Sequence, residues 1–124
     1  MPAAQPKIPD PNHPITISPS RNRVRVRFGG EVIADTSDAL DLKESTYPVV
    51  HYIPRSAVEM NRLVKTDHST HCPYKGDASY FSILAKDGTR IENAVWSYET
   101  PFPAMKEIAG YLAFYPNKVE ISVG

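Results

Sequence analysis

The chain has 124 residues, the size of one ordinary domain, and 41% of them are hydrophobic, which is enough for a core. Lys plus Arg (14) balances Asp plus Glu (14), so the formal charge is zero, which argues against a nucleic-acid binder or a binder of anionic membranes. The single cysteine excludes a disulfide within the chain, and no apolar run of membrane-spanning or signal-peptide type occurs, so we expect a cytoplasmic protein.

Proline is concentrated at the start of the chain, where five of the 12 prolines fall within residues 1–14. Each proline removes a backbone hydrogen-bond donor and resists regular structure. We therefore predict that residues 1–13 form an extended, proline-rich arm and that residues 14–124 form a single β-rich domain.

The first clear strand is Arg23–Phe28, in which arginine alternates with valine or phenylalanine. This period of two places the apolar side chains on one face and the arginines on the other. Gly29-Gly30 separates this run from Glu31–Asp35, and two glycines at such a position are typical of a tight hairpin that needs positive φ.

The middle of the chain predicts short strands at Ala39–Glu44 and Val49–Ile53, the second being rich in β-branched and aromatic residues. A further short strand is predicted at Leu63–Lys65. The segment Thr66–Asp77 is polar and has neither the helical nor the strand period, so we predict a loop there.

A second hairpin is predicted around Asp87-Gly88, between residues 78–86 and 90–99. The register of its two arms cannot be read from the sequence, so whether their aromatic faces coincide is left open. A last strand is predicted at residues 118–123.

One short helix is predicted near the C-terminus, from about residue 103 to residue 111, because Met105 and Ile108 recur at helical spacing after Pro103. The other elements are strands joined as hairpins rather than by crossover helices. We therefore expect a mainly β fold in which two antiparallel sheets pack at an angle.

Several longer motifs carry a resemblance to a known family: His13-Pro14-Ile15, Gly29–Asp35, Tyr52–Arg55, Thr70–Tyr80, Asn93–Tyr98, Ala109-Gly110 and Ala113–Pro116. On these motifs the chain resembles the bacterial domain-of-unknown-function family number 427. The resemblance implies a β-tent-like fold, in which two antiparallel sheets meet at an angle.

The resemblance implies little chemistry. Relatives in the tent-like class hold zinc with two Cys-x-x-Cys pairs, whereas this chain has one cysteine and lacks that site. The family is sometimes labelled a nucleotidyltransferase domain, but Lys75-Gly76-Asp77-Ala78 does not complete the Lys-x-Asp-Gly motif of ligase-type nucleotidyl transfer, because Ala78 stands at the position of the glycine.

Aromatic side chains with a few polar neighbours favour a small-molecule pocket. The candidate ligand-binding residues are Trp96, Tyr98, Tyr80, Lys75, His71, Cys72, Tyr52 and Asn93. We expect the loop to bring Lys75 to the face of Trp96, where it would bind an anionic group while the rings stack on a planar one. The predicted partner is therefore a small molecule with a planar or anionic group, and the residues identify no cofactor.

Two other functions stay open at this point. A transferase or hydrolase would use Cys72, His71 or Lys75, since a thiol beside a histidine and a lysine can act as a nucleophile. A protein-interaction domain would expose an apolar patch, for which Phe102 and Phe114 are candidates. A metal set of His68, His71 and Cys72 lacks a second anchored pair, and no metal site is predicted.

Overall fold

The computed structural model describes residues 6–124; residues 1–5 of the predicted arm lie outside the described residues. Ten strands make up most of the domain: β1 Ile15–Pro19, β2 Val24–Phe28, β3 Glu31–Thr36, β4 Leu40–Glu44, β5 Val50–Tyr52, β6 Leu63–Cys72, β7 Gly76–Leu84, β8 Arg90–Ser97, β9 Leu112–Phe114 and β10 Glu120–Val123. Short 3₁₀ segments occupy Arg55–Ala57, Met60–Arg62 and Pro103–Ile108.

The strands form three antiparallel sheets, with the orders β1-β4-β5, β10-β2-β3 and β6-β7-β8-β9. The prediction of a mainly β, antiparallel fold is thus confirmed, whereas the division into two sheets is wrong. Strand periodicity shows which residues pair off in hairpins. It does not show which hairpins share hydrogen bonds, because that depends on contacts between residues distant in sequence.

The central strands β7 and β8 of the four-stranded sheet pack against a core on each face. On one face Phe81 and Val95 join an aliphatic core that includes Val24, Val26 and Ile33 of the β10-β2-β3 sheet. On the other face Tyr80 and Trp96 join an aromatic core that includes Leu42 and Tyr52 of the β1-β4-β5 sheet. Successive residues of a strand point to opposite faces, so one sheet contributes to both cores.

The two predicted hairpins are confirmed. Gly29 and Gly30, at φ +58° and +81°, connect β2 to β3, and Gly88, at φ +89°, lies in the turn between β7 and β8. These positive φ values are easily adopted by glycine, which explains why the glycine pair and Asp87-Gly88 predicted the turns correctly.

The prediction of a loop over Thr66–Asp77 is wrong, because β6 continues to Cys72. A short turn connects β6 to β7, and the two strands pair with each other. Strand β6 lies at the edge of its sheet, and its residues from Asp67 to His71 are exposed. A register shift between Lys65 and Ser69 interrupts the alternation as well. An exposed edge strand needs no apolar face, and therefore the segment shows no strand period.

The predicted C-terminal helix is also wrong. Residues Pro103–Ile108 form 3₁₀ turns with a break at Met105, and the Gly110 N–H donates to the Tyr98 carbonyl oxygen at 3.1 Å, which returns the chain to β8. Met105 and Ile108 are buried, but a spacing of three suits a 3₁₀ turn as well as an α-helix. Among residues 6–124, no helix has the length and apolar character needed to span a membrane.

Candidate functional site

A cavity of about 220 Å³ opens into the aromatic core. Six aromatic side chains from different parts of the chain line it: Tyr47 between β4 and β5, Tyr52 of β5, Tyr80 of β7, Trp96 of β8, Tyr98 directly after β8 and Tyr115 directly after β9. Tyr80 and Trp96 are paired residues in the β7–β8 register, so their side chains lie on the same face. The fold therefore concentrates six rings around one small space.

Trp96 lies at the centre of the ring arrangement. Its ring meets Tyr115 at a centroid distance of 4.5 Å and meets Tyr52 edge-on at 6.4 Å. Its indole N–H donates a hydrogen bond to the Tyr52 hydroxyl oxygen at 3.3 Å. The indole is therefore fixed in orientation while its half-buried ring still borders the cavity.

Tyrosine hydroxyls supply polar atoms among these rings. The Tyr80 hydroxyl lies 2.9 Å from the Thr70 hydroxyl and 3.4 Å from that of Tyr115. Burial, together with this contact to Tyr80, raises the pKa of Tyr115 to about 12. Burial also raises the pKa values of Tyr52 and Tyr98 far above the ordinary value of 10.0, so all three phenols are protonated at neutral pH.

An ion pair forms the polar end of the cavity. The Lys75 ammonium donates to the Glu44 carboxylate, and both side chains are nearly buried, at 10% and 17% exposure. The Lys75 Nζ atom lies 5.8 Å from the centroid of the Tyr98 ring, a cation–π distance. Gly76, at φ +109°, follows Lys75 and allows the tight turn that directs the lysine inward.

His13 extends this polar group on its outer side. Its Nε2 lies 2.8 Å from the second Glu44 oxygen, and its ring stacks on Tyr74 at 4.2 Å. Burial raises the pKa of Glu44, but the hydrogen bonds from Lys75 and His13 outweigh burial and lower it overall. The carboxylate is therefore ionised at neutral pH, and the polar end carries one fixed positive and one fixed negative charge.

Beside the cavity runs a larger, more apolar groove of about 450 Å³. Trp96, Pro48 and Val50 border both spaces, and Tyr47 lies on the rim at 61% exposure. The indole of Trp96 is thus a wall shared by a small aromatic cavity and a larger apolar groove.

Five of the eight predicted site residues line the cavity together: Tyr52, Lys75, Tyr80, Trp96 and Tyr98. Cys72 is half-buried and packs against the aromatic core without lining the cavity. Whether the five residues bind a ligand stays a prediction. The expectation that Lys75 lies near Trp96 agrees with the geometry, although its charge is already paired with Glu44.

His71 and Asn93 lie outside the cavity. His71 is exposed, with its Nδ1 atom 2.8 Å from the Asp77 carboxylate. Asn93 lies at φ +50° beside the irregular register between β7 and β8, where its side-chain oxygen accepts a hydrogen bond from the Thr66 hydroxyl at 2.7 Å. Within residues 6–124, no group of three or more His, Cys, Asp or Glu is arranged to hold a metal ion.

Sequence reasoning missed Glu44, Tyr115 and His13. A signal for Glu44 existed, because Leu40, Leu42 and Glu44 alternate along β4 and therefore share a face. No local signal placed Tyr115 or His13, since each reaches the site through pairing with residues more than 30 positions away.

The fold and the cavity together define a small antiparallel β domain with an aromatic pocket closed at one end by an ion pair. The family model described as a domain of unknown function, DUF427, matches residues 16–124. The chain belongs to this family, and the resemblance read from its motifs is confirmed. No curated protein matches the chain.

Proposed function

We propose that this domain is a binding module for a small molecule with one planar ring, which it holds in the aromatic cavity. The observation that carries the proposal is the convergence of six aromatic side chains around an unfilled space. Protein cores are normally packed as densely as organic crystals, with few voids larger than a water molecule. An opening of this size among tyrosines and a tryptophan therefore suits a ring that completes the stack.

The size of the cavity limits the ligand. Sites for drug-sized molecules have volumes of roughly 300–1,000 Å³, and this cavity encloses about 220 Å³. A single ring with one substituent is compatible with that space, whereas a whole nucleotide is not. The size therefore favours a ring compound smaller than the nucleotides suggested by the family label.

The geometry gives less support to an enzyme. His71 and Cys72 are neighbours on β6 and so point to opposite faces of the strand, with His71 exposed and Cys72 against the aromatic core. The amine of Lys75 is engaged with Glu44. The three candidate catalytic groups therefore do not converge, as a shared nucleophilic mechanism would require.

The proposal can be tested with the single tryptophan as the reporter. The chain gives one indole N–H resonance, and phenol, benzamide and benzoate are added one at a time while that resonance is followed by NMR. We expect saturable shifts with at least one of these rings. Val50→Trp, which places a bulky side chain against the cavity, should abolish the shifts.

A matched control separates the cavity from the groove. Val123 lines the groove but not the cavity, so Val123→Trp adds the same side chain and should leave the ring-induced shifts intact. The added indole gives a second resonance, which is assigned by comparison with the wild type. No shift with any of the three rings, or undiminished shifts in Val50→Trp, would overturn the proposed function.

A second candidate function is protein interaction through the groove. Val49 and Val123 are 44% and 45% exposed there, whereas Phe114 is buried and Phe102 is half-buried. Exposed apolar side chains gathered in one groove favour contact with another protein surface. Sedimentation over a range of concentrations tests self-association, which Val49→Asp should abolish; a monomer at every concentration would argue against it.

A further inference from the structure

We infer that the ligand of the aromatic cavity is an uncharged ring compound whose polar edge carries a hydrogen-bond acceptor next to a donor, as an aromatic carboxamide does. This inference rests on the proposed function and adds the charge and polar chemistry of the ligand. The inferred chemistry of the ligand follows from the ion pair between Lys75 and Glu44, which both line the cavity.

The two charged side chains that line the cavity, Lys75 and Glu44, compensate each other's charge. The ammonium donates to one carboxylate oxygen, while the other oxygen meets His13 at 2.8 Å. Neither side chain is more than 17% exposed, so solvent screens the pair weakly. Any group at this end of the cavity experiences both charges at close range.

An anionic ligand is disfavoured by this arrangement. A carboxylate placed against Lys75 also lies near the ionised Glu44, and it loses its hydration on entering the cavity. A cationic ligand meets the opposite problem, because the Lys75 ammonium stands beside the carboxylate it would approach. The pairing of Lys75 therefore revises the expectation that it binds an anionic group.

A carboxamide satisfies both partners without adding a charge. Its carbonyl oxygen accepts from a remaining Lys75 N–H, since an ammonium has three donors, and its NH₂ donates to Glu44. Hydrogen bonds to charged groups are stronger than those between neutral groups. The planar ring then lies among Trp96, Tyr115 and Tyr98, where its faces meet other aromatic rings.

Three isosteric probes test this inference directly. Benzamide, benzoate and benzamidine have the same ring and a planar head of similar shape, with charges of zero, minus one and plus one. Each is titrated into the full chain while the Trp96 indole resonance is followed. We expect benzamide to bind at least about tenfold more tightly than either charged probe.

Charge-changing variants should redirect the preference. Glu44→Gln leaves Lys75 unpaired within the cavity, and benzoate should then gain about tenfold in affinity. Lys75→Gln removes the lysine partner of the Glu44 carboxylate, and the affinity for benzamidine should then increase by a similar factor. Thermal unfolding of both variants checks that they fold, and the wild-type ranking is decisive by itself if either does not.

The titrations distinguish a failure of the inferred ligand class from a failure of the proposed binding function. If benzoate binds the wild type more tightly than benzamide, the inferred ligand class is wrong and the binding function stands. Tighter binding of benzamidine leads to the same conclusion, provided that phenol, benzamide or benzoate also shifts the indole resonance. The same conclusion holds if phenol shifts the indole resonance while benzamide does not. If no ring compound produces a shift, both the proposed function and this inference are overturned.

Discussion

The two cores on either face of the β6-β7-β8-β9 sheet differ in composition and in the polar groups that they border. The aliphatic core is built mainly from branched side chains such as Val24, Val26 and Ile83, which have no exposed surface. The aromatic core contains tyrosines, borders a buried ion pair and leaves a cavity. One face of the sheet is thus packed with aliphatic side chains, and the other has the polar groups and the space on which the proposed ligand binding depends.

The largest effect should follow from a truncation in the aliphatic core. Ile83 is completely buried there, so Ile83→Ala removes apolar contacts and leaves a void, and we expect a loss of about 2–5 kcal/mol in the free energy of unfolding. Urea denaturation measures this loss. The cavity lies on the opposite face, so the affinity for the best ring probe should stay unchanged in the folded variant. A loss below about 1 kcal/mol would contradict the close packing around Ile83, and a changed affinity in the folded variant would contradict the separation of the two cores.

A smaller loss should follow from breaking the ion pair of the aromatic core. Lys75→Met leaves Glu44 with His13 as its remaining side-chain partner, and we expect a loss of about 1–3 kcal/mol, because a charged group loses a buried hydrogen bond. The double variant with Glu44→Gln should lose less than the sum of the two single losses. Urea denaturation of all four proteins forms the double-mutant cycle, and strict additivity would show that the pair is not coupled.

Acid should weaken the same pair. The pKa of Glu44 is lowered from its ordinary value of 4.5, because the hydrogen bonds from Lys75 and His13 outweigh the opposing effect of burial. Its ionisation therefore stabilises the fold above pH 4.5, and this contribution is lost as the pH falls through the lower folded-state value. Stability measured against pH should fall in this window for the wild type and less steeply for Glu44→Gln. Parallel curves for the two proteins would exclude Glu44 as the cause.

The sequence predicted those parts of the fold that have a local signal. The alternation in Arg23–Phe28, with Gly29-Gly30 after it, predicted β2 and its hairpin because both signals are local. The same reasoning missed the Thr66–Cys72 part of β6, since an exposed edge strand has no apolar face to detect. It also read the spacing of Met105 and Ile108 as an α-helix, although that spacing fits 3₁₀ turns equally well.

The candidate site was predictable to the extent that it lies on a single hairpin. Tyr80 and Trp96 face each other across β7 and β8, and the turn at Asp87-Gly88 brings them together. Tyr115 reaches the cavity from the end of β9 through sheet contacts that no local pattern encodes. The alternation along β4 indicated which face Glu44 shares with Leu40 and Leu42, but it did not show that this face meets Lys75. Sequence reasoning did not place the Glu44 carboxylate beside Lys75, and for that reason it proposed an anionic group as the partner of the lysine.

The smallest change in stability should come from the rim of the cavity. Tyr47 is 61% exposed and borders both the cavity and the groove, so Tyr47→Ala should change the free energy of unfolding by no more than about 0.5 kcal/mol. Removing this ring should nevertheless expose more of the Trp96 indole, and acrylamide should then quench its fluorescence more strongly. Val32→Ala provides the matched control, because Val32 is 44% exposed but borders neither the cavity nor the groove. Equal quenching in the two variants would mean that Tyr47 does not cover the opening of the cavity. Removing the Tyr47 ring would then leave the access of ligands to the cavity unchanged.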